Sequence, residues 1–410
     1  MITAEATSAD LQPTDVSQED ANVSLPPSPD GTSTPASEQP SPAKSKRLRS
    51  LDALRGFDML WIVGGDALIR TLANHTQAPW LTWFAGQFHH PGWQGVTLYD
   101  LIFPLFLFLA GVAMPYSLGR QIELGRSKWI LLRKVAIRAA LLVLLGAVYN
   151  GLLAFKPLEE TRICSVLGYI GMAYFFAASI YIFSNTRHQV IWAVGILFGY
   201  WAALMWIHVP GHGAGVLTPQ GCITAYLDRS LLPWKFNVAG QLYDSQGIFV
   251  TIPATVTALL GGLTGQFLRH SKLNKFAIGG ILIVAGIACY YLAKLWGTQL
   301  FISKELWNPT FVLHCAGWSL MLLGLFYLII DAVGFWHWSF FFIVIGMNSI
   351  TIYLGVKVFN FHHTAGFLFG GIVSKFEDPG LRSVMASCAY ILAWWIVLLF
   401  MYRKKIFLKV

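Results

Sequence analysis

Apolar stretches of roughly 20 residues recur along most of this chain, each close to the length a helix needs to cross a bilayer. Inside hydrocarbon every backbone N–H and C=O needs an internal partner, so such stretches read as helices. The composition agrees: of 410 residues, 55% are hydrophobic and 12% charged, where a soluble domain carries about 25% charged. The expected fold is all-α, a polytopic membrane protein with about ten transmembrane helices. These are placed near residues 51–73, 93–118, 129–154, 161–183, 188–208, 246–268, 276–297, 308–332, 338–359 and 382–402.

The formal net charge of +9 would suit a nucleic-acid partner, but the positions of the charges exclude one. Lys and Arg gather in short segments beside the apolar spans, as the positive-inside rule expects. Lys44, Lys46, Arg47 and Arg49 precede the first span; Arg120, Arg126 and Lys128, then Arg269, Lys272 and Lys275, fill two later connections; Arg403, Lys404 and Lys405 follow the last. That pattern places both termini in the cytoplasm and leaves outer loops poor in Lys and Arg. The largest of these, Val209 to Ser245, is rich in Gly and Pro and should form an outward-facing cap.

Residues 1–46 are Ser- and Pro-rich, with few large apolar side chains. Such a segment cannot bury enough surface to offset its ordering entropy and is expected to be a disordered cytoplasmic tail. The transmembrane domain is then 47–410. The five cysteines (Cys164, Cys222, Cys289, Cys315 and Cys388) show no metal-ligand spacing, and no metal is expected.

The first span holds unusual charge for a membrane helix: Asp52, Arg55, Asp58, Asp66 and Arg70. Wound at about 100° per residue, four of these fall within an arc of roughly 60°, with Asp58 further round. The pattern predicts a polar stripe running from the cytoplasmic end almost to the outer end. Ionisable groups within membrane spans commonly line a pathway or a site. Asp66 follows the pair Gly64-Gly65, which lets a ligand or another backbone come close.

His90 lies just before the second span, on the outer side. It reads either as an interfacial histidine bonded to a carbonyl or headgroup, or as a proton-transfer group near neutral pH. Asp100, ten residues on, is a buried-acid candidate, and Pro104 should kink its helix. Arg133, Lys134 and Arg138 open the third span, either as positive-inside anchors or as a seat for the phosphates of an anionic ligand. Asn348, in Gly346-Met347-Asn348-Ser349, is either interhelical glue or a ligand contact. A polar passage with cations inside and a histidine outside suits a transporter of a sugar or anion. It equally suits an enzyme using a cytoplasmic anionic donor on an external acceptor.

Several ordered blocks resemble the heparan-α-glucosaminide N-acetyltransferase family, including its bacterial relatives. They are Arg47 to Gly56, His90-Pro91-Gly92-Trp93-Gln94-Gly95, Asp100 to Pro104, Arg162 to Tyr174, Gly346 to Ile350, and Tyr402 to Phe407. The likeness runs over about 47–410. It implies transfer of an acetyl group from cytosolic acetyl-CoA across the membrane to an amino sugar or sugar hydroxyl on the far side. It also implies a multi-pass protein of the cell (inner) membrane, surrounded by lipid, and a homodimer.

The family's active histidine falls on His90, as general base or acetyl carrier. Its neighbouring asparagine falls on Asp66, a departure that assigns an acid the task of orienting the imidazole. A second departure is Leu167-Gly168-Tyr169, where relatives often show a Gln-Arg pair. Arg55, Arg133, Lys134, Arg138 and Asn348 are the expected acetyl-CoA contacts. A non-catalytic membrane protein retaining the fold is the remaining rival.

Overall fold

A computed structural model of the chain describes residues 48–236, 240 and 242–408. The expected disordered tail, with Lys44, Lys46 and Arg47, lies outside them. The described residues are helical, with isolated β-bridges at Gly95–Ser303 and Val209–Gly213 and no strand among them. Among the described residues sixteen α-helices follow one another. They are α1 (Arg49–Leu60), α2 (Asp66–Thr76), α3 (Pro79–Ala85), α4 (Ile102–Val112), α5 (Arg120–Glu123) and α6 (Lys128–Tyr149). Next come α7 (Val166–Phe183), α8 (Thr186–Trp206), α9 (Ile223–Leu231), α10 (Thr251–His270) and α11 (Lys275–Trp296). The last are α12 (Pro309–Phe326), α13 (Phe340–Gly346), α14 (Ser349–Val358), α15 (Phe361–Val373) and α16 (Pro379–Arg403).

Each of the ten predicted stretches falls on a helix or a broken helix. By length and apolarity, however, six stretches qualify as membrane spans, and α13 with α14, bent by 60°, makes a seventh. The expected ten is more than this measure supports, for chemical reasons. The first stretch is charged and broken, α6 carries Lys128, Arg133, Lys134 and Arg138, and α10 is rich in Thr and Gly. The segment after residue 360, which lies between the last two expected stretches, forms α15, and His362 stacks on Tyr390 with ring centroids 4.3 Å apart.

The outer surface shows why this is a membrane protein. Trp129, Ile137, Leu141 and Leu144 of α6, Ile191, Val194 and Phe198 of α8, and Val284, Tyr291 and Leu295 of α11 are all exposed. A water-soluble chain rarely leaves apolar patches of that extent uncovered. The charges collect at one end of the bundle, where Arg49, Arg126, Lys128, Lys272, Lys275 and Lys404 lie near helix ends. We call this the basic face. The opposite end carries α9 and the connections around it, and we call it the cap face.

The straight winding of the first span fails at Trp61–Gly65, which is a π-helix with Gly64 at φ 128°. A π-bulge widens the turn and shifts everything after it round the axis. Asp52 and Asp58 are therefore buried on the basic half, while Asp66 and Arg70 form their own i,i+4 pair on the cap half. The continuous polar stripe expected from uniform winding is not present.

The core is closed by helix contacts without side chains between them. At Gly111 of α4 an added Cβ would lie 2.0 Å from the Ala258 carbonyl oxygen; at Gly261 of α10 it would lie 2.0 Å from that of Phe108. Small residues at such crossings let backbones approach where there is no hydrophobic force between helices. Gly111→Val should therefore separate α4 from α10 and destabilise the fold by about 1–3 kcal/mol or more, as overpacking does. A thermal-unfolding series in detergent checks this; an unchanged midpoint would show that the crossing relaxes freely.

Candidate functional site on the cap face

The chain between α3 and α4 is held by a few specific bonds. Arg70 of α2 donates to the Phe88 carbonyl at 3.2 Å, and the Tyr99 N–H donates to the Gln87 carbonyl. Residues Leu98–Leu101 form a 3₁₀ turn that leads into α4. Its capping box is complete: the Thr97 N–H donates to Asp100 Oδ2 at 3.2 Å and the Asp100 N–H donates back to the Thr97 side chain, whose Oγ1 itself donates to the His89 carbonyl at 2.6 Å. This arrangement buries the Asp100 carboxylate completely and aims it at the loop before it.

His90 meets that carboxylate. Its Nδ1 lies 2.7 Å from Asp100 Oδ1, and its side chain is 54% exposed. An acid with no accessible surface thus holds an imidazole whose other nitrogen is free to face the outside. The Tyr99 ring packs against His90 with centroids 5.1 Å apart. His89 does not share the site, since its Nδ1 turns to the Gly86 carbonyl. Asp66, expected as the partner of His90, is bonded to Arg70 instead. Asp66 and Arg70 are both within electrostatic reach of Tyr99, so they border the site one residue removed.

A third group came from far along the chain. Lys304 Nζ lies 2.9 Å from Asp100 Oδ1 and 3.1 Å from His90 Nδ1. The segment bearing Lys304 is rigidly tied: the Gly95 N–H donates to the Ile302 carbonyl at 2.9 Å and Ser303 Oγ to the Trp93 carbonyl at 2.7 Å. Tyr200 donates to the Leu306 carbonyl, and Asn308 Nδ2 to the Phe301 carbonyl. Sequence reasoning missed Lys304. A signal was available, because outer loops here are poor in Lys and Arg, so a lysine among them is out of place.

The other expected residues gather toward the basic face in two places. The Arg138 guanidinium sits over the Tyr174 ring, 5.3 Å from its centroid, and Arg55 lies in electrostatic reach of the same tyrosine. Lys134 shares the Arg138 side of α6, being about 40° away around the helix, whereas Arg133 is about 140° away. Both are exposed. Asn348 stands at the break between α13 and α14, 1% exposed, with both amide atoms buried and without a hydrogen-bond partner. Its two chain neighbours line different spaces. Met347 borders a cavity of about 1030 Å³ at the basic face, with Arg49, Asp52, Lys275 and Trp336. Ser349 borders a narrow apolar slot of about 50 Å³ between α1, α4, α7 and α14, with Met59, Ile62, Phe103, Leu167 and Tyr353. The slot thus reaches within three residues of Asp100.

A buried acid near the histidine, a cationic and amide-bearing region toward the basic face, and an apolar slot between them invite comparison with known proteins. Residues 47–154 match a family model described as a domain of unknown function, DUF5009. Heparan-alpha-glucosaminide N-acetyltransferase from Homo sapiens is 28% identical over 93% of this chain, and the Mus musculus protein of the same name is 26% identical over 90%. The chain is similar to the heparan-α-glucosaminide N-acetyltransferases. It spans 62% of the human protein's length and 61% of the mouse protein's. The resemblance read from the motifs is borne out along most of the chain.

The cap roofs this site. Trp93 Nε1 donates to the Leu217 carbonyl at 2.7 Å, and its ring packs edge-on against Tyr243 at 4.8 Å. Beneath lies Asp228 of α9, where burial pushes the carboxyl up to about 7; the Asp244 N–H at 3.1 Å pulls it down, the Asp244 charge adds to the rise and Arg229 opposes it. An unfolded Asp releases its proton near pH 4. The folded cap therefore holds one more proton between those values, so the stabilisation is present at low pH and is lost as pH rises through about 7. Hydrogen exchange in 223–231, corrected for intrinsic rates, should quicken between about pH 5.5 and about pH 8, and Asp228→Asn should flatten the difference. Equal pH dependence in the variant would remove Asp228 as the cause.

Proposed function

We propose that this protein is an acetyl-CoA-dependent membrane acyltransferase. It moves an acetyl group from the cytoplasmic, basic face to an amino sugar or sugar hydroxyl at the cap face. The observation that carries the reading is the half-exposed His90 imidazole held at 2.7 Å by the fully buried Asp100 carboxylate. The similarity to named acetyltransferases over nine-tenths of the chain supports it.

An acceptor amine or hydroxyl must lose a proton as it attacks an acyl carbon. A neutral imidazole within hydrogen-bond reach can take that proton. Asp100 accepts the Nδ1 proton of His90, which leaves the Nε2 lone pair directed to the open side. The same lone pair suits His90 as an acetyl carrier: Nε2 would attack the thioester carbonyl carbon as the C–S bond breaks and CoA leaves as thiolate, and the acceptor would then take the acetyl group, restoring the imidazole and losing its proton to the released thiolate or to solvent. Asp66 and Arg70, beside Tyr99, would border the bound sugar and contact its polar groups.

Bound acetyl-CoA supplies the activated acetyl group. The residues on the basic side fit such a ligand: Arg55, Lys134 and Arg138 offer charge to phosphates, and the unpartnered Asn348 amide offers a donor and an acceptor to a buried polar chain. The slot beyond Ser349 is apolar and narrow, which suits the thin acyl end and excludes water from it. Leu167, at the position of the Gln-Arg departure, gives this slot an apolar wall. Arg133 points away from this side and is assigned to anchoring in the interface.

Purified protein incubated with labelled acetyl-CoA and a panel of amino sugars should release CoA and yield acetylated sugar by mass spectrometry. No CoA release with any sugar, or sugar uptake into vesicles without it, would end the enzyme reading in favour of transport. His90→Ala should lower turnover by about 10³-fold or more while acetyl-CoA still binds, consistent with loss of a positioned base or nucleophile. Arg138→Ala should raise the apparent KM for acetyl-CoA several-fold with little change in kcat, and Arg133→Ala should leave both near wild type. The reverse order would relocate the phosphate contacts.

A further inference from the structure

The proton on the line between His90 and Asp100 is decided by what else faces it. Asp100 and Tyr99 approach from the 3₁₀ turn, Lys304 from the segment before α12, Cys315 of α12 lies within electrostatic reach of Asp100 and Lys304, and Asp66 and Arg70 of α2 lie behind Tyr99. His89, next in the chain, is turned to the Gly86 carbonyl. A separation of 2.7 Å between Nδ1 and Oδ1 needs one proton between them, because two bare lone pairs would repel. The Lys304 ammonium has no lone pair, so it donates to Asp100 Oδ1, 2.9 Å away. Its approach to within 3.1 Å of Nδ1 is then a contact between two N–H groups that share one carboxylate oxygen.

That sharing has an electrostatic consequence. A buried carboxylate facing only an imidazole would draw a second proton onto the pair, and the outward nitrogen would no longer be a base. A cation beside both groups matches the carboxylate charge and repels an imidazolium. We propose that Lys304 is a positioning residue that keeps the His90–Asp100 pair singly protonated, with the proton on Nδ1 and the Nε2 lone pair open to substrate. The proposal rests on His90 being the reactive base or carrier, and it adds the group that sets its charge. Lys304 itself touches neither substrate nor donor in this role.

Lys304 is placed to do this by the backbone. Its segment is bonded to the His90 loop through Gly95–Ile302 and Trp93–Ser303, so the root of the lysine side chain is held beside the pair. The side chain is 16% exposed. Solvent therefore screens the Lys304–Asp100 pair little, while the half-exposed His90 feels the ammonium at 3.1 Å with partial screening on its outer side.

The test uses diethyl pyrocarbonate on the full chain in detergent, because the reagent attacks neutral imidazole nitrogen and the modified His90 peptide is read by mass spectrometry. In wild type, Lys304→Met and Lys304→Arg, labelling is followed from about pH 5 to about pH 9. The Met variant should show its labelling midpoint raised by about one pH unit or more, the size expected for a charge within 4–6 Å. The Arg variant should keep the wild-type midpoint. A Met midpoint equal to wild type overturns the proposal, and so does an Arg variant shifted as far as Met. If the Met variant does not fold, Lys304→Gln is read in its place by the same criteria. In acetyl-transfer assays the acid limb of the kcat profile should move by the same interval in Lys304→Met, with KM for acetyl-CoA unchanged. Labelling needs no turnover, so a wild type that releases no CoA overturns the function reading alone, while the shift in labelling still decides the role of Lys304.

Discussion

A carboxylate with no surface of its own must have its lone pairs answered, and much of the cap face is arranged around answering those of Asp100. Thr97 supplies a backbone N–H, His90 an imidazole and Lys304 an ammonium. These donors come from a loop, a turn and a segment two hundred residues further on. Leaving all of them out would strand a buried charge, a loss of several kcal/mol in comparable cases. The bonds that tie Trp93 to Ser303 and Gly95 to Ile302 serve the same end, since they bring the lysine within reach. The acid is therefore both a structural pin and the group that orients the exposed histidine.

The way this site is built explains which parts of it sequence reasoning could reach. Helix positions follow from apolar stretches, and each of the ten expected stretches lies on helix, because hydrocarbon allows no other backbone solution. His90 and Asp100 were visible as a histidine before a span and an acid within one. Their pairing was not read, because a ten-residue spacing that crosses a loop and a 3₁₀ turn has no helical period to reveal it. Asp66 was chosen instead because the family's asparagine falls on it, and the polar stripe it was to join assumed uniform winding, which Trp61–Gly65 breaks with a π-turn and Gly64 at φ 128°. Lys304 depends on contacts at a separation of 204 residues from Asp100, which no local pattern encodes.

The two halves of the proposed path are chemically unlike. Toward the basic face, Arg55, Arg138 and Asn348 offer charge and hydrogen bonds within a few turns of the helix ends. Between them and His90 the slot is lined almost wholly by hydrocarbon side chains, with Ser349 and Tyr353 as its polar members. Ionic groups of a donor are favoured to stay on the first half, and a small uncharged acyl group is what the second half accommodates. The cap adds a roof over the far end, through Trp93, Leu217 and Tyr243.

The break at Asn348 and the π-turn at Trp61–Gly65 lie against each other, since α14 packs on that turn. Each interrupts the regular ladder at membrane depth, and each sits beside polar side chains. A bilayer's insulating layer is about 30 Å of hydrocarbon, and the basic-face cavity bordered by Met347 is cut into one side of the bundle beside this break. If acyl transfer joins the two faces, a donor seated there would reach across the rest of the apolar layer rather than across the whole sheet.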